Sequence, residues 1–129
     1  MSPSGNGTAD SRTRKTEYDP EDRTFQFAKA VRATMKLLPR TLANIEDAKQ
    51  VIRSSGSVGA NYIEANEALS KKDFQMRIKI CRKESKESVY WLRLLDTGSD
   101  QTVAQEREAM VKEARELTHI FGAILQKTQ

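Results

Sequence analysis

The chain has little of what catalytic and secreted domains are usually built from. Among 129 residues there are one cysteine, one histidine, three prolines and six glycines, and aromatic residues make up 6%. The single cysteine, Cys81, excludes an intramolecular disulfide and leaves no thiolate cluster for a metal. Scarce proline and glycine leave few places to turn, so the elements must be few and long. No stretch approaches the roughly 18 apolar residues of a membrane span, and the polar start Met1 to Gly7 offers no apolar run for a signal peptide. The expectation is a cytoplasmic protein without a membrane association.

Catalytic signatures are missing as well. There is no Walker loop and no dinucleotide fingerprint. The lone His119 has no second member for a nucleophile and base pair, so it reads as a packed or surface side chain. Cys81 falls on an apolar stripe and reads as a small, inert packing residue. Glu64, Glu67, Glu84 and Glu87 form the one imaginable carboxylate cluster, but a carboxylate-bridged metal site in a bundle adds a Glu-x-x-His motif from each of two helices, and a chain with one histidine cannot supply that pair. Neither an enzyme nor a bound cofactor or metal is expected.

What the chain does have is helical periodicity, over a length that suits one domain with a single core. Residues 1–18 mix Ser, Gly, Thr, Asn, Arg and Lys without period and predict a disordered tail. Asp19-Pro20-Glu21-Asp22 then reads as a helix start, with Asp19 as N-cap and Pro20 in the first helical position. The first helix covers about 20–38, with Phe27, Val31, Met35 and Leu38 on one face, and stops before Pro39. Asn44-Ile-Glu-Asp47 offers the next cap, for a helix over about 44–68. Ser70 and Asp73 make a variant of the capping box opening a helix over about 71–96. Thr97-Gly98-Ser99-Asp100 ends it on a glycine and caps a last helix over about 100–126. No alternating strand pattern occurs. The predicted fold is all-α, an antiparallel up-down-up-down four-helix bundle over residues 19–127, elongated because its longer helices each span roughly 35–40 Å.

The second helix carries the least ordinary composition. Ile45, Ala48, Ile52, Ser55, Gly59, Tyr62, Asn66 and Leu69 step by threes and fours, so two glycines and three serines fall inside a helix. Each interior glycine costs about 1 kcal/mol against alanine, which implies close backbone approach by a neighbouring helix or a ligand. Arg53, Ser57, Asn61 and Glu64 stack along one edge of the same helix. They predict a polar network that fixes helix register, with Glu84 or Glu87 as partners for Arg53; contact with a ligand or nucleic acid is the other reading.

The third helix separates into faces. Phe74, Ile78, Cys81, Ser85, Ser88, Leu92 and Leu95 make a core stripe. Lys72, Lys79, Lys86 and Arg93 recur every seven residues on the opposite side, joined by Arg82 and Lys83. Residues 70–95 hold eight basic groups against three acidic ones, an excess of five that exceeds the net +4 of the whole chain. No aromatic platform is read among these lysines. Between core and ridge runs a third strip, Met76, Ile80, Trp91 and Leu94. Helices in a small bundle usually need one apolar stripe each, so this strip predicts a subunit contact, the alternative being burial within the bundle itself. The fourth helix supplies Val103, Met110, Ala114, Leu117, Phe121 and Ile124, interrupted by Arg107.

The segments Leu38 to Leu42, Asn44 to Asp47, Ile52 to Ala65 (Ile-Arg-Ser-Ser-Gly-Ser-Val-Gly-Ala-Asn-Tyr-Ile-Glu-Ala) and Ser70 to Leu95 together resemble four-helix bundle proteins encoded in intervening sequences of bacterial 23S ribosomal RNA genes. The resemblance covers about residues 22–126, and it is closest through the second and third helices. It implies a ring-like homopentamer with a basic surface. It also implies kinship with the accessory variability determinant of diversity-generating retroelements, which binds nucleic acid and a reverse transcriptase. Two functions follow as expectations. In the first, an oligomer binds RNA or DNA backbones through Lys72, Lys79, Arg82, Lys83, Lys86 and Arg93. In the second, a protein-interaction scaffold serves a nucleic-acid enzyme without touching nucleic acid itself.

Overall fold

The computed structural model describes residues 19–129, so the tail expected over residues 1–18 lies outside the described residues. Four helices follow in order: α1 (Pro20–Met35), α2 (Leu42–Asn66), α3 (Lys71–Leu94) and α4 (Gln101–Lys127), with no strand among the described residues. Each helix packs on its neighbours in sequence and α1 closes the square against α4, while the diagonal helices meet through side chains, as Tyr62 of α2 does with Phe121 of α4 at a ring-centroid distance of 5.9 Å. The result is the antiparallel up-down-up-down bundle.

Local chemistry sets the helix starts. Asp19 accepts from the Glu21 amide at 3.0 Å, Ser70 from the Asp73 amide at 3.0 Å, and Asp100 from the Thr102 and Val103 amides at 2.9 and 3.3 Å. Each side-chain oxygen satisfies a donor that has no partner within its helix. α2 departs from the expected cap. Thr41, not Asn44, is its N-cap, with Oγ1 accepting from the Asn44 amide at 3.1 Å. Asn44 is thereby freed for a longer-range task. Its Nδ2 donates to the carbonyls of Pro39 (2.9 Å) and Asp96 (2.8 Å), and its Oδ1 accepts from the Asp96 amide (3.0 Å). This one buried side chain joins the α1–α2 and α3–α4 connections.

α1 ends at Met35, three residues before the predicted stop. A helical path through Leu38 would drive the Pro39 ring into the Met35 carbonyl, so the chain turns early and Leu38 tucks under the bundle end. Gly98 is likewise no helix cap. It lies four residues past Leu94, in the left-handed region at φ 69°, and a Cβ there would fall 3.0 Å from Pro39 Cγ. Arg107, the apparent interruption of the α4 stripe, closes the α3 end instead, donating to the carbonyls of Leu95 (2.8 Å) and Leu92 (3.5 Å).

The core runs the length of the bundle through Phe27, Val31, Val51, Val58, Ile78, Leu92, Leu117 and Phe121. The α3 stripe is buried as its spacing predicts, with Phe74 half-buried at its start. The α2 stripe is rotated by one residue from the predicted one. Asn44, Val51, Ser54, Ser55, Val58 and Ala65 face inward, whereas Ile45, Asn66 and Leu69 are exposed. Small residues fill the α2–α3 seam, the most extensive contact in the bundle. Ser54 and Ser88 share a hydrogen bond at 2.8 Å, and the Cys81 thiol donates to the Val58 carbonyl at 3.4 Å. Gly59, expected within the buried stripe, turns toward α1, where a Cβ would fall 2.9 Å from Thr24 Oγ1. The glycine permits close approach, and the neighbour it admits is α1.

Candidate nucleic-acid interface

Every cation of the predicted ridge, Lys72, Lys79, Arg82, Lys83, Lys86 and Arg93, is exposed on the outer face of α3. The placement follows from Ile78, Cys81, Ser85, Ser88 and Leu92 being buried on the other side, since a helix that buries one stripe must present its opposite one to water. Among the described residues only Lys83 has a carboxylate within ion-pair reach, Glu84 at 3.6 Å. Both acidic groups of that stretch of helix, Glu84 included, also face a cation of α2. Glu87 accepts from Arg53 at 3.2 Å, and Glu84, whose side chain is 7% exposed, lies 3.8 Å from the same guanidinium, so both turn toward α2.

Lys79, Arg82, Lys83 and Lys86 line a shallow cavity of about 450 Å³ together with Glu87 and Tyr90. Tyr90 corrects the expectation that no aromatic lies among the lysines. It stands four residues after Lys86 and seven after Lys83, a spacing that places it on the ridge, and it is 58% exposed. The signal was there in the sequence: its spacing from the lysines, rather than its hydropathy, marks it.

The predicted polar network exists only in pieces. Arg53 pairs across to α3 as expected. Asn61 donates to the carbonyl and hydroxyl oxygens of Ser57 (2.9 and 3.0 Å) and accepts from Arg77 at 3.0 Å, a partner the sequence did not single out. No hydrogen bond links these two groups, and Glu64 is exposed without an ion pair among the described residues. The third strip divides too. Trp91 is half-buried against the core, with Nε1 buried and without a hydrogen-bond partner, and Ile80 is half-buried; Met76 and Leu94 are each 50% exposed.

Other titratable groups stand apart from the ridge. Desolvation pushes the buried Cys81 thiol up to about 12. Hydrogen bonds from Arg23 to Glu113 and Glu116 hold its guanidinium above its ordinary value and tie α1 to α4. His119 is exposed on α4. Among the described residues no three His, Cys, Asp or Glu side chains are grouped to hold a metal, and no helix is long and apolar enough to cross a membrane.

The sequence model of one protein family, described as 23S rRNA-intervening sequence protein, matches residues 18–123. Among solved structures the chain is similar to a protein of unknown function from the S23 ribosomal protein family of Bacteroides thetaiotaomicron. The two share 29% identity over 81% of this chain and 96% of that one, with a TM-score of 0.70. No curated protein matches.

Proposed function

The chain belongs to the 23S rRNA-intervening sequence protein family, and on that premise we propose that it is a non-enzymatic, cytoplasmic protein that binds RNA or DNA through the phosphate backbone. Lys72, Lys79, Arg82, Lys83, Lys86 and Arg93 make the contacts. The observation that carries this reading is the unneutralised ridge: six exposed cations on one helix face, five of them without a carboxylate within ion-pair reach among the described residues. A field of that kind attracts polyanions and releases their counterions on binding.

One ridge binds weakly, and assembly multiplies it. The half-exposed Met76 and Leu94, flanking Ile80 and Trp91, supply apolar surface for a homo-oligomeric ring, with five copies as the expected number. Light scattering tests this part separately: a monomer at working concentration removes the ring and leaves the strip as surface.

The binding test is salt dependence. Six phosphate contacts predict an affinity that falls about a thousandfold between 50 and 200 mM salt. Replacing Lys79, Lys83 and Lys86 by glutamine should remove most of that affinity and flatten the slope while leaving the bundle folded, because all three are exposed. Absence of affinity at about 50 mM salt, or affinity indifferent to salt, overturns the proposal.

A specific observation favours a second reading, a scaffold for a partner protein. Two grooves of about 560 and 540 Å³ run between α1 and α2, with Phe25, Gly56, Ala60 and Ile63 in one and Met35, Ile45, Ala48 and Ile52 in the other. Partner capture that survives the lysine replacements, without nucleic-acid affinity, would support it.

A further inference from the structure

Phosphate contact makes no use of the aromatic ring that stands within the ridge. Tyr90 is exposed where a tyrosine would ordinarily bury its apolar area, in a cavity whose remaining walls are four cations and Glu87. It is braced rather than loose. Its ring meets the Trp91 ring edge-on, with centroids 5.0 Å apart and planes at 79°, and Trp91 is itself packed against the core. The exposed phenol ring is therefore held at the surface by a side chain anchored in the bundle. The single acidic wall is engaged elsewhere, since Glu87 accepts from Arg53.

We infer that this cavity takes an unpaired nucleobase, stacked on Tyr90, while the phosphates on either side of it lie on Lys79, Arg82, Lys83 and Lys86. The inference rests on the nucleic-acid reading above and names its ligand class: single-stranded RNA or DNA in preference to duplex. The physical reason is access. In a duplex each base face is covered by its neighbours, so a duplex offers the ridge phosphates and nothing to the tyrosine. In a single strand the base faces are open, and stacking on an aromatic side chain is tolerant of sequence because every base has a π-face. The cavity volume of about 450 Å³ lies within the range of small-ligand pockets, ample for one base.

The test measures fluorescence anisotropy at about 50 mM salt with three labelled probes of about 12 nucleotides per strand: a pyrimidine single strand, the matching duplex, and an abasic sugar-phosphate strand. The wild-type protein should bind the single strand at least ~10-fold tighter than the abasic strand. Tyr90→Leu should weaken single-strand binding about 5- to 150-fold, the equivalent of one lost stacked base. The same change should leave duplex and abasic affinities within about twofold and the salt slope intact, since no charge is removed. Tyr90→Phe keeps the ring and should keep the affinity. Because Tyr90 is exposed, both variants should melt with the wild type. Equal binding of all three probes, or an equal Tyr90→Leu loss on the abasic strand, overturns base stacking and leaves backbone binding standing. No affinity for any probe overturns both.

Discussion

Gly56 and Gly59 lie three residues apart in α2, and replacing each by alanine should move stability in opposite directions. In both places a methyl group enters a helix interior and the backbone preference favours alanine by about 1 kcal/mol. At Gly56 the new Cβ would meet only the Nη2 of Arg32 at 3.2 Å, the far end of an exposed side chain that swings aside at little cost. Gly56→Ala should therefore stabilise the bundle by about 0.5–1 kcal/mol. At Gly59 the Cβ would lie 2.9 Å from Thr24 Oγ1 and 3.3 Å from Thr24 Cβ. Thr24 is buried and its hydroxyl donates to the Glu21 carbonyl at 3.0 Å, so it cannot rotate away without losing that bond. Relief has to come from moving α1 off α2. Overpacking of this kind costs about 1–3 kcal/mol, which outweighs the preference for alanine and leaves a net loss of about 1 kcal/mol. Urea unfolding at one fixed protein concentration would read the two variants about 2 kcal/mol apart, with association held constant. Adding Thr24→Ala should shrink the Gly59→Ala loss, because it removes the nearest atom. Equal stability of the two variants, or a gain at Gly59, would refute the idea that Gly59 exists to admit Thr24.

Asn44→Leu keeps the branched shape but strands the Asp96 amide and carbonyl, while the Pro39 carbonyl keeps the Thr41 amide; a loss of about 3 kcal/mol in urea unfolding is expected, with faster exchange of the Asp96 amide. Ser54→Ala and Ser88→Ala should each cost about 1 kcal/mol, and the double replacement less than their sum, because each single change leaves the other hydroxyl without its partner. The Cys81 thiol sets a pH dependence. Burial pushes it up to about 12, so the folded chain keeps a proton that the unfolded chain releases above about 8.5. Its contribution is complete below that value and declines as pH rises toward 12, at up to ~1.4 kcal/mol per pH unit. Wild-type stability should fall more steeply between these limits than that of Cys81→Ala, and parallel slopes would contradict the assignment.

The fold was legible where its determinants are local. Ser70, Asp19 and Asp100 cap helices within three residues of themselves, and the α3 faces follow from a single periodicity. Legibility failed where a residue's partner is distant. Asn44 reads as a cap because it precedes a helical pattern, but it bonds 52 residues away; Arg107 reads as a flaw in its stripe because the carbonyls it closes belong to α3. The α2 stripe was misplaced by one position for another reason. Ser54 and Ser55 carry no apolar signal, so Ile45 and Ile52, which flank the α1 groove, outweighed the true inward set. The ridge was visible because charge at seven-residue spacing needs no tertiary knowledge, and Tyr90 was overlooked because hydropathy groups it with neither the lysines nor the core.

The clasp formed by Asn44 and Arg107 gives the bundle a polarity along its axis. At that end two connections and the last carbonyls of α3 are riveted together. At the other end the α2–α3 turn projects Leu69 almost wholly into water, and among the described residues Gln75 to Thr128 is the one side-chain bond that crosses between α3 and the chain end. Breathing motions should therefore begin at the turn and die out toward the clasp, like tongs opening from their tips. The ridge lies along that gradient, with Lys72 near the tips and Arg93 near the rivet. A strand lying on it would meet a yielding edge at one side and a fixed rail at the other, a built-in direction on a surface whose charge has none.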